Sequence, residues 1–193
     1  MQTYIMHRRV FITSSVSAAL TAPMLNAATL GDDGLYNDPL FHDTFLDLGE
    51  DNAEATAQGK ILMVLVEQNG CPYCREMHEV NFQRPEIRKI MEAKFFPIQL
   101  DLFGAREVTD FEGNAVEERD FIAGQNIQFT PTAVFYNSDG TEIFRLPGYF
   151  KPFHHLSALE YVSSGAYLEQ NFQRFLQAKF AELAEQGIDP EVW

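Results

Sequence analysis

Residues 60–74, KILMVLVEQNGCPYC, are the stretch that decides the fold. Its first part, residues 60–67, is an apolar run of strand length, which predicts a β-strand buried on both faces of a sheet. Gly70 and two cysteines follow at once, and a helical pattern starts at the first cysteine. The sequence therefore predicts a central strand followed by a Cys-x-x-Cys pair at the beginning of a helix.

Cys71 and Cys74 are the only cysteines in the chain. A Cys-x-x-Cys pair can be half of a metal site, a structural link or a redox dithiol. No second cysteine pair is present to complete a metal site, and a disulfide across so short a loop removes little entropy from the unfolded chain. A redox role is the interpretation that remains. We expect the Cys71–Cys74 disulfide to be the redox group, with no other cofactor and no metal.

The two cysteines are predicted to have different roles. Pro72 suits the first position of a helix, where a backbone N–H is not needed, so Cys71 falls at the N-cap. Free backbone N–H groups and the positive end of the helix dipole favour a thiolate there, which makes Cys71 the expected nucleophile. Cys74 lies within the first turn, and we expect it to be the more buried thiol that resolves a mixed disulfide.

The composition is that of a globular protein with one core: 193 residues, of which 46% are apolar and 22% charged. The 28 acidic residues outnumber the 14 Lys and Arg residues, which gives a formal net charge of -14. This is the wrong sign for neutralising phosphate groups. We therefore expect neither nucleic acid nor an anionic membrane surface as a partner.

Residues 1–28 have the layout of an export signal, with arginines near the start, a mildly apolar segment and small residues at the end. Within them Arg8-Arg9-Val10-Phe11-Ile12 resembles the twin-arginine pattern, and an ordinary secretory signal is the alternative. The apolar segment is short for a membrane span, so we expect cleavage and no stable membrane anchor. Residues 29–39 are turn-rich and predict a lead-in to a single domain over 40–193.

Helical and strand patterns alternate along the rest of the chain. The turn formers Asn137-Ser138-Asp139-Gly140 predict a hairpin between the last two strands. Helices are predicted over 41–57, after Cys71, over 85–93, over 117–126 and between 166 and 184, and strands over 60–67, 95–102, 132–136 and 142–147.

Residues 103–116 lengthen the connection between the second strand and the next helix beyond the ~2–6 residues that a compact connection needs. Glu112-Gly113-Asn114 predicts a hairpin turn within them. The acidic residues between 101 and 120 are interpreted as a solvated surface, with a docking face for a partner as the alternative. The apolar side chains expected to pack this insertion on the domain are Phe103, Val108, Phe111 and Val116.

Thr130-Pro131-Thr132 stands at the entrance to an apolar strand. A proline there can simply begin an edge strand. The order of strand, Cys-x-x-Cys helix, strand, helix, Thr-Pro strand, hairpin strand and helix, however, resembles the thioredoxin superfamily. This resemblance implies a thioredoxin fold of the α/β class, with a mixed central sheet flanked by helices, an insertion after the second strand and an extra C-terminal helix. It also implies a cis Pro131 beside the dithiol, with the backbone of Thr130 free to bind an extended substrate.

A closer resemblance, over about residues 36–176, is to the exported SoxW-type thioredoxins. It is carried by Phe41-His42-Asp43, by residues 67–80 (EQNGCPYCREMHEV), by Thr130-Pro131-Thr132 and by Pro147-Gly148-Tyr149. The resemblance implies a periplasmic thiol-disulfide reductase that acts on disulfide-bearing client proteins and keeps proteins of sulfur oxidation or cytochrome maturation reduced. A membrane thiol-disulfide carrier of the CcdA or DsbD type would be its electron donor.

Two departures from thioredoxin bear on the direction of electron flow. Thioredoxin has a buried acid six residues before the first cysteine, where this chain has Leu65, and Glu67 is the nearest acid and the candidate proton acceptor. The dipeptide Pro72-Tyr73 resembles that of glutaredoxins and not the Gly-Pro of thioredoxins. An oxidase or isomerase is therefore the alternative to a reductase, with Pro72, Tyr73 and Glu67 supporting the site in either case.

His78 lies one helical turn after Cys74, so a Cys/Cys/His copper site of the Sco type is a further alternative. We interpret His78 instead as a solvated helix histidine, because the Sco pattern has a longer cysteine spacing. Of the adjacent His154 and His155, at most one can face the site, since neighbouring helix residues point in different directions.

Overall fold

A computed structural model of the chain describes residues 28–188. At its centre is a mixed four-stranded sheet. Strand β3 (Ile61–Glu67) runs parallel to β4 (Phe95–Asp101) and antiparallel to β7 (Thr132–Tyr136), which pairs antiparallel with β8 (Glu142–Pro147). The predicted strands and the mixed sheet are confirmed, with β3 starting one residue later and β4 ending one residue earlier than expected.

Helices cover both faces of this sheet. A π-helical turn (Met77–Asn81) continues the helix that follows the two cysteines, and a 3-10 turn (Ala166–Leu168) precedes the last helix. The α-helices are α1 (Leu48–Ala57), α2 (Pro72–Glu76), α3 (Pro85–Lys94), α4 (Glu118–Gly124), α5 (Pro152–Ser163) and α6 (Phe172–Glu185).

The side chains of β3 explain why residues 60–67 are apolar throughout their middle. Met63 and Leu65 point into one core cluster with side chains of α3 and α5, while Leu62, Val64 and Val66 point into a second cluster with side chains of α1 and α4. Successive side chains of a strand alternate between faces, so a strand covered on both sides needs apolar residues at every position. The prediction of a central strand buried on both faces is confirmed.

The first helix begins at Leu48, and the prediction of a helix from residue 41 is wrong. Asp47 is the N-cap, and its carboxylate accepts a hydrogen bond of 3.0 Å from the backbone N–H of Glu50. Leu46 immediately before it has a φ of 58°, which a continuing right-handed helix does not allow. Phe45, which falls inside the predicted helix at helical spacing from other apolar residues, is 99% exposed.

The helix predicted between residues 166 and 184, whose apolar residues are spaced as one helical stripe, is also interrupted. Asn171 caps α6 with its side-chain oxygen, which accepts a 2.9 Å hydrogen bond from the N–H of Arg174. Leu168, expected on the stripe, lies in the 3-10 turn and is mostly exposed. The extra C-terminal helix is therefore present, but it begins at Phe172.

The insertion between β4 and α4 forms the predicted hairpin, with β5 (Glu107–Thr109) paired to β6 (Ala115–Glu117). Val108 is buried and the Phe111 ring lies 4.8 Å from the Tyr136 ring. Phe103, in contrast, is 71% exposed, so its predicted packing on the domain is wrong.

The acidic stretch around this hairpin was interpreted from the sequence as a solvated surface. The structure shows that one of its carboxylates is buried. The carboxylate of Glu118 is fully buried, where it pairs with the guanidinium of Arg106 and accepts a 2.7 Å hydrogen bond from the N–H of Asp101. A buried carboxylate is tolerated because these partners replace its water. Glu118 is therefore a structural anchor for the insertion.

Residues 29–39, interpreted as a lead-in, form a small hairpin of β1 (Thr29–Leu30) and β2 (Tyr36–Asn37) that packs on the domain. Beyond it, the carboxylate of Asp38 forms a 2.9 Å ion pair with Arg88 of α3.

Most of the predicted export signal, including Arg8 and Arg9, lies outside the described residues. Within residues 28–188, no helix is both long and apolar enough to span a membrane.

Candidate active site

The end of β3 and the start of α2 position the two cysteines. The chain leaves β3 at Glu67 and turns through Gly70, whose φ of 73° favours glycine. Cys71 then takes the N-cap position of α2 in an extended conformation, and Pro72 occupies the first turn, as the sequence predicted. Cys71 and Cys74 are joined by a disulfide.

The surroundings of the two sulfur atoms differ. The Sγ of Cys71 accepts a hydrogen bond of 3.0 Å from the backbone N–H of Cys74. A backbone N–H that points at this sulfur is the donor that the predicted thiolate of Cys71 would need. Cys71 is 6% exposed and Cys74 2% exposed, so Cys74 is the less accessible of the two, in the predicted order.

Thr130 and Pro131 lie beside the disulfide, although they are distant in sequence. The Thr130–Pro131 peptide bond is cis. The carbonyl oxygen of Thr130 is 3.6 Å from the Sγ of Cys71, and its hydroxyl donates to the same sulfur at 3.4 Å. Strand β7, which follows Pro131, lies between β3 and β8, so the alternative of a simple edge-strand proline does not apply.

Tyr73 is connected to the body of the domain by a chain of polar and aromatic contacts. Its ring is 61% exposed and stacks on the ring of Tyr149 at 5.9 Å. The Tyr149 hydroxyl donates a 3.2 Å hydrogen bond to the Oδ1 of Asn81, and the Nδ2 of Asn81 donates to the carbonyl of Phe150 at 2.8 Å. Tyr149 stands in a motif quoted for the family resemblance, but nothing in the sequence pattern indicated Asn81.

His155 completes this chain of contacts. Its Nδ1 lies 3.1 Å from the Nδ2 of Asn81, so Nδ1 is the acceptor and the proton of the neutral ring resides on Nε2. Burial lowers the pKa of His155 to about 4. The buried Nε2 has no hydrogen-bond partner among the described residues. His155 is therefore a neutral core residue that supports Asn81.

Glu67 lies at the end of β3 with only 1% of its surface exposed. Both of its carboxylate oxygens contact the Nε2 of His78, at 3.0 and 3.1 Å, and Gln99 donates a further hydrogen bond to it. Leu65, at the position of the thioredoxin acid, is packed in the apolar core. The buried acid of this site is thus Glu67, two residues further along the strand.

His78 is fully buried, so the interpretation of His78 as a solvated histidine is wrong. The ring of Tyr36 from the N-terminal hairpin stacks on it at 4.7 Å, and its Nδ1 lies 3.9 Å from the Oδ2 of Asp38. Burial would lower the pKa of His78, but Asp38 and Glu67 outweigh burial and raise it. The position of His78, one turn after Cys74, was the one sequence signal that could have placed it on the buried face of the helix.

Asp38 is held ionised by the same cluster. Burial would raise its pKa, but His78 and Arg88 act in the opposite direction and lower it.

Among residues 28–188, no group of three or more His, Cys, Asp or Glu side chains could hold a metal ion. The Sco-type alternative needs such a group with His78, whose Nε2 is engaged by Glu67.

The family follows from a sequence comparison. The family model described as a thioredoxin-like domain matches residues 48–163, which include the disulfide, Thr130 and Pro131. The chain belongs to the thioredoxin-like family. No curated protein matches this thioredoxin-like chain in sequence.

Solved structures of thioredoxin-like proteins resemble the chain as well. A thioredoxin-fold protein from Helicobacter pylori is 22% identical with a TM-score of 0.53, over 66% of this chain and 84% of its own. A thioredoxin from Thermus thermophilus is 26% identical with a TM-score of 0.48, over 60% and 83% of the two chains. The C-terminal domain of DsbD from Neisseria meningitidis is 18% identical with a TM-score of 0.43, over 58% and 89%. The Helicobacter pylori structure supports the thioredoxin fold.

Proposed function

We propose that this protein is an exported thiol-disulfide oxidoreductase that reduces disulfides of client proteins through Cys71 and Cys74. The observation that carries the proposal is the position of the Cys71–Cys74 disulfide, at a helix start and with the Cys71 sulfur 3.6 Å from the carbonyl oxygen of Thr130. A client chain that bonds to Cys71 would therefore lie beside the backbone of Thr130. No cofactor other than the dithiol is needed.

The reaction takes place in two exchanges. In the reduced protein the Cys71 thiolate attacks one sulfur of the client disulfide, forming a Cys71–client bond, and the second client sulfur leaves as a thiolate that takes a proton from solvent. Cys74 then loses its proton, and its thiolate attacks the Sγ of Cys71. The Cys71–Cys74 disulfide forms and the first client sulfur is released as a thiolate. Two electrons pass from the dithiol to the client.

The residues around the dithiol support these steps. The N–H of Cys74 donates to the Cys71 sulfur and stabilises the attacking thiolate. Pro72 and Tyr73 shape the surface beside it, and Thr130 and Pro131 provide the backbone edge for an extended client. We assign Glu67 a supporting role through His78, which lies one helical turn after Cys74.

The finer proposal follows the SoxW-type resemblance. The protein would act in the periplasm after removal of residues 1–28, receive electrons from a CcdA- or DsbD-type membrane carrier, and keep sulfur-oxidation or cytochrome-maturation proteins reduced. The export route has a direct test. Replacing Arg8 and Arg9 by lysine should leave the precursor in the cytoplasm, whereas continued export would indicate the general secretory pathway.

An oxidase or isomerase is the second candidate, and one observation favours it. The hydrogen bond to the Cys71 sulfur stabilises the reduced form, and a stabilised reduced form makes a dithiol more oxidising. The redox potential separates the two candidates, measured by equilibrating the protein in buffers of defined thiol-disulfide ratio and counting free thiols. A value near the roughly -270 mV of thioredoxin supports the reductase, and one near about -120 mV supports the oxidase.

A further inference from the structure

A cavity of about 240 Å³ opens beside Cys71, between the disulfide loop and the N-terminal hairpin. The hairpin supplies one wall and the loop with the start of α2 supplies the other. Its volume is below the ~300–1,000 Å³ typical of small-molecule sites, so it fits a single side chain better than a cofactor. Its lining includes Leu30, Tyr36, Gly70, Cys71, Pro72 and Arg75, together with the polar side chains of Gln68 and Asn69.

The hairpin wall contacts the redox helix, which is α2 together with the π-helical turn after it, and the loop before that helix. Gly34, with a φ of 82°, lies against the side chain of Asn69 so closely that a Cβ atom would overlap the amide group. Tyr36 stacks on His78 of the redox helix at 4.7 Å with an interplanar angle of 18°. The hairpin is therefore a part of the site surface and was not indicated as such by the sequence.

We propose that this cavity binds an apolar side chain next to the reactive half-cystine of an extended client segment, and that the hairpin thereby selects clients. This inference rests on the proposed thiol-disulfide exchange at Cys71. Cys71 itself lines the cavity, so the client sulfur bonded to it in the mixed disulfide lies at the cavity's edge. Adjacent Cα atoms in a chain are about 3.8 Å apart, so the neighbouring client side chain can reach the cavity.

The lining favours an apolar occupant. Leu30 is 63% exposed at the hairpin wall, and burying a leucine against another apolar side chain is favourable. Pro72 and the ring of Tyr36 add apolar surface, and Gly70 leaves the space between the walls unfilled. Arg75 is the only charged side chain in the lining, so an acidic side chain is the competing occupant that the test includes.

The test uses reduced native protein and three peptides, Ala-Xaa-Cys-Ala with Xaa as Leu, Asp or Lys, each with its cysteine bonded to thionitrobenzoate. Attack by Cys71 on the peptide sulfur forms the Cys71–peptide bond and releases coloured thionitrobenzoate. The Leu peptide should react about fivefold faster than the Asp peptide, as expected for removing part of a leucine side chain from water. The Lys peptide should react no faster than the Asp peptide.

Two variants and a control locate the preference. Leu30→Ser removes the apolar wall, and Gly34→Ala displaces the Asn69 side chain where the hairpin meets the loop at the cavity wall. Each should reduce the Leu-to-Asp rate ratio to about one. A partly unfolded variant lowers both rates equally, so the ratio still reports on the cavity. Phe103→Ser removes a similarly exposed apolar side chain that does not line the cavity, and it should keep the ratio of the native protein.

The outcomes distinguish the two proposals. Equal rates for the three peptides, a faster Asp peptide, or a ratio that survives both hairpin variants would overturn the cavity's role while leaving the exchange at Cys71 intact. If the native protein releases thionitrobenzoate from none of the three peptides, the proposed function and this inference are overturned together.

Discussion

Acidification should destabilise the protein through His155, the buried histidine that accepts a hydrogen bond from Asn81. Its folded-state pKa is about 4, against 6.5 for an exposed histidine. Between these pH values the unfolded chain binds a proton that the folded protein does not, so the free energy of unfolding falls as the pH falls. The loss amounts to about 2 kcal/mol at pH 5 and about 3 kcal/mol at pH 4, and it stops below that because both states are then protonated.

The native protein alone does not reveal this loss cleanly, because Asp51 acts in the opposite direction. Burial raises the pKa of Asp51 to about 6, so the folded protein binds a proton there that the unfolded chain lacks. The comparison is therefore between native protein and His155→Gln, which has no titrating ring and keeps an acceptor for Asn81. Urea unfolding is followed by far-ultraviolet circular dichroism at pH 7, 5 and 4.

The native-minus-variant difference in unfolding free energy should decrease by about 3 kcal/mol from pH 7 to pH 4. Parallel stability curves would refute the reasoning, since they would mean that the ring of His155 is protonated in the folded protein as readily as in the unfolded chain. A difference that increases on acidification would refute it as well, because it would require partners that stabilise the imidazolium.

Three further predictions concern stability. Arg106→Met should lower the free energy of unfolding, measured by urea denaturation, by about 1–3 kcal/mol, because the buried carboxylate of Glu118 loses a half-exposed cation. The loss should be smaller when Glu118→Gln is already present, and a loss of the same size there would contradict this reasoning. Gly70→Ala should lower the free energy of unfolding by about 1–2 kcal/mol, because alanine resists the left-handed backbone conformation there. Gly34→Ala should lower it further, because its Cβ also meets the Asn69 side chain. A larger loss for Gly70→Ala than for Gly34→Ala would contradict the geometry of the two loops. His78→Gln should lower the free energy of unfolding most below pH 6.5. The difference in unfolding free energy between native protein and variant should shrink as the pH rises through the raised pKa of His78. A difference that grows with pH would contradict the ion pairs of His78 with Asp38 and Glu67.

Much of the fold could be predicted because its signals are local. A strand covered on both faces needs apolar residues at every position, and residues 61–66 have this pattern. The turn at 137–140 specifies its hairpin through its own backbone conformation, so the strands on either side were predicted with the bounds that the structure has.

The two errors in helix bounds arose where apolar spacing was counted without the residues that start a helix. Phe45 and Leu168 both fit a helical stripe, yet both are exposed. The caps Asp47 and Asn171 set the true helix starts, because their side chains accept the first free backbone N–H groups. A capping residue followed by a helix former was visible in both places and outweighs spacing at a boundary.

The candidate site was predictable as far as it is contiguous in sequence. Cys71 and Cys74 define it locally, and Thr130 was placed beside them only through the resemblance to thioredoxins. The contacts of His78 could not be predicted, because Tyr36 reaches its ring from a segment that reads as a linker. Contacts between distant segments have no signature in either segment alone.

The most direct test of the central claim is a trapping measurement with the two single-cysteine variants. Each reduced variant is mixed with a disulfide-bonded client peptide, and the protein is analysed by intact mass. Cys74→Ser should accumulate a covalent adduct carrying one half of the peptide, because the Cys71 nucleophile is present and the resolving thiol is absent. Cys71→Ser should remain unmodified. An adduct that forms more readily on Cys71→Ser, or on neither variant, would contradict thiol-disulfide exchange initiated at Cys71.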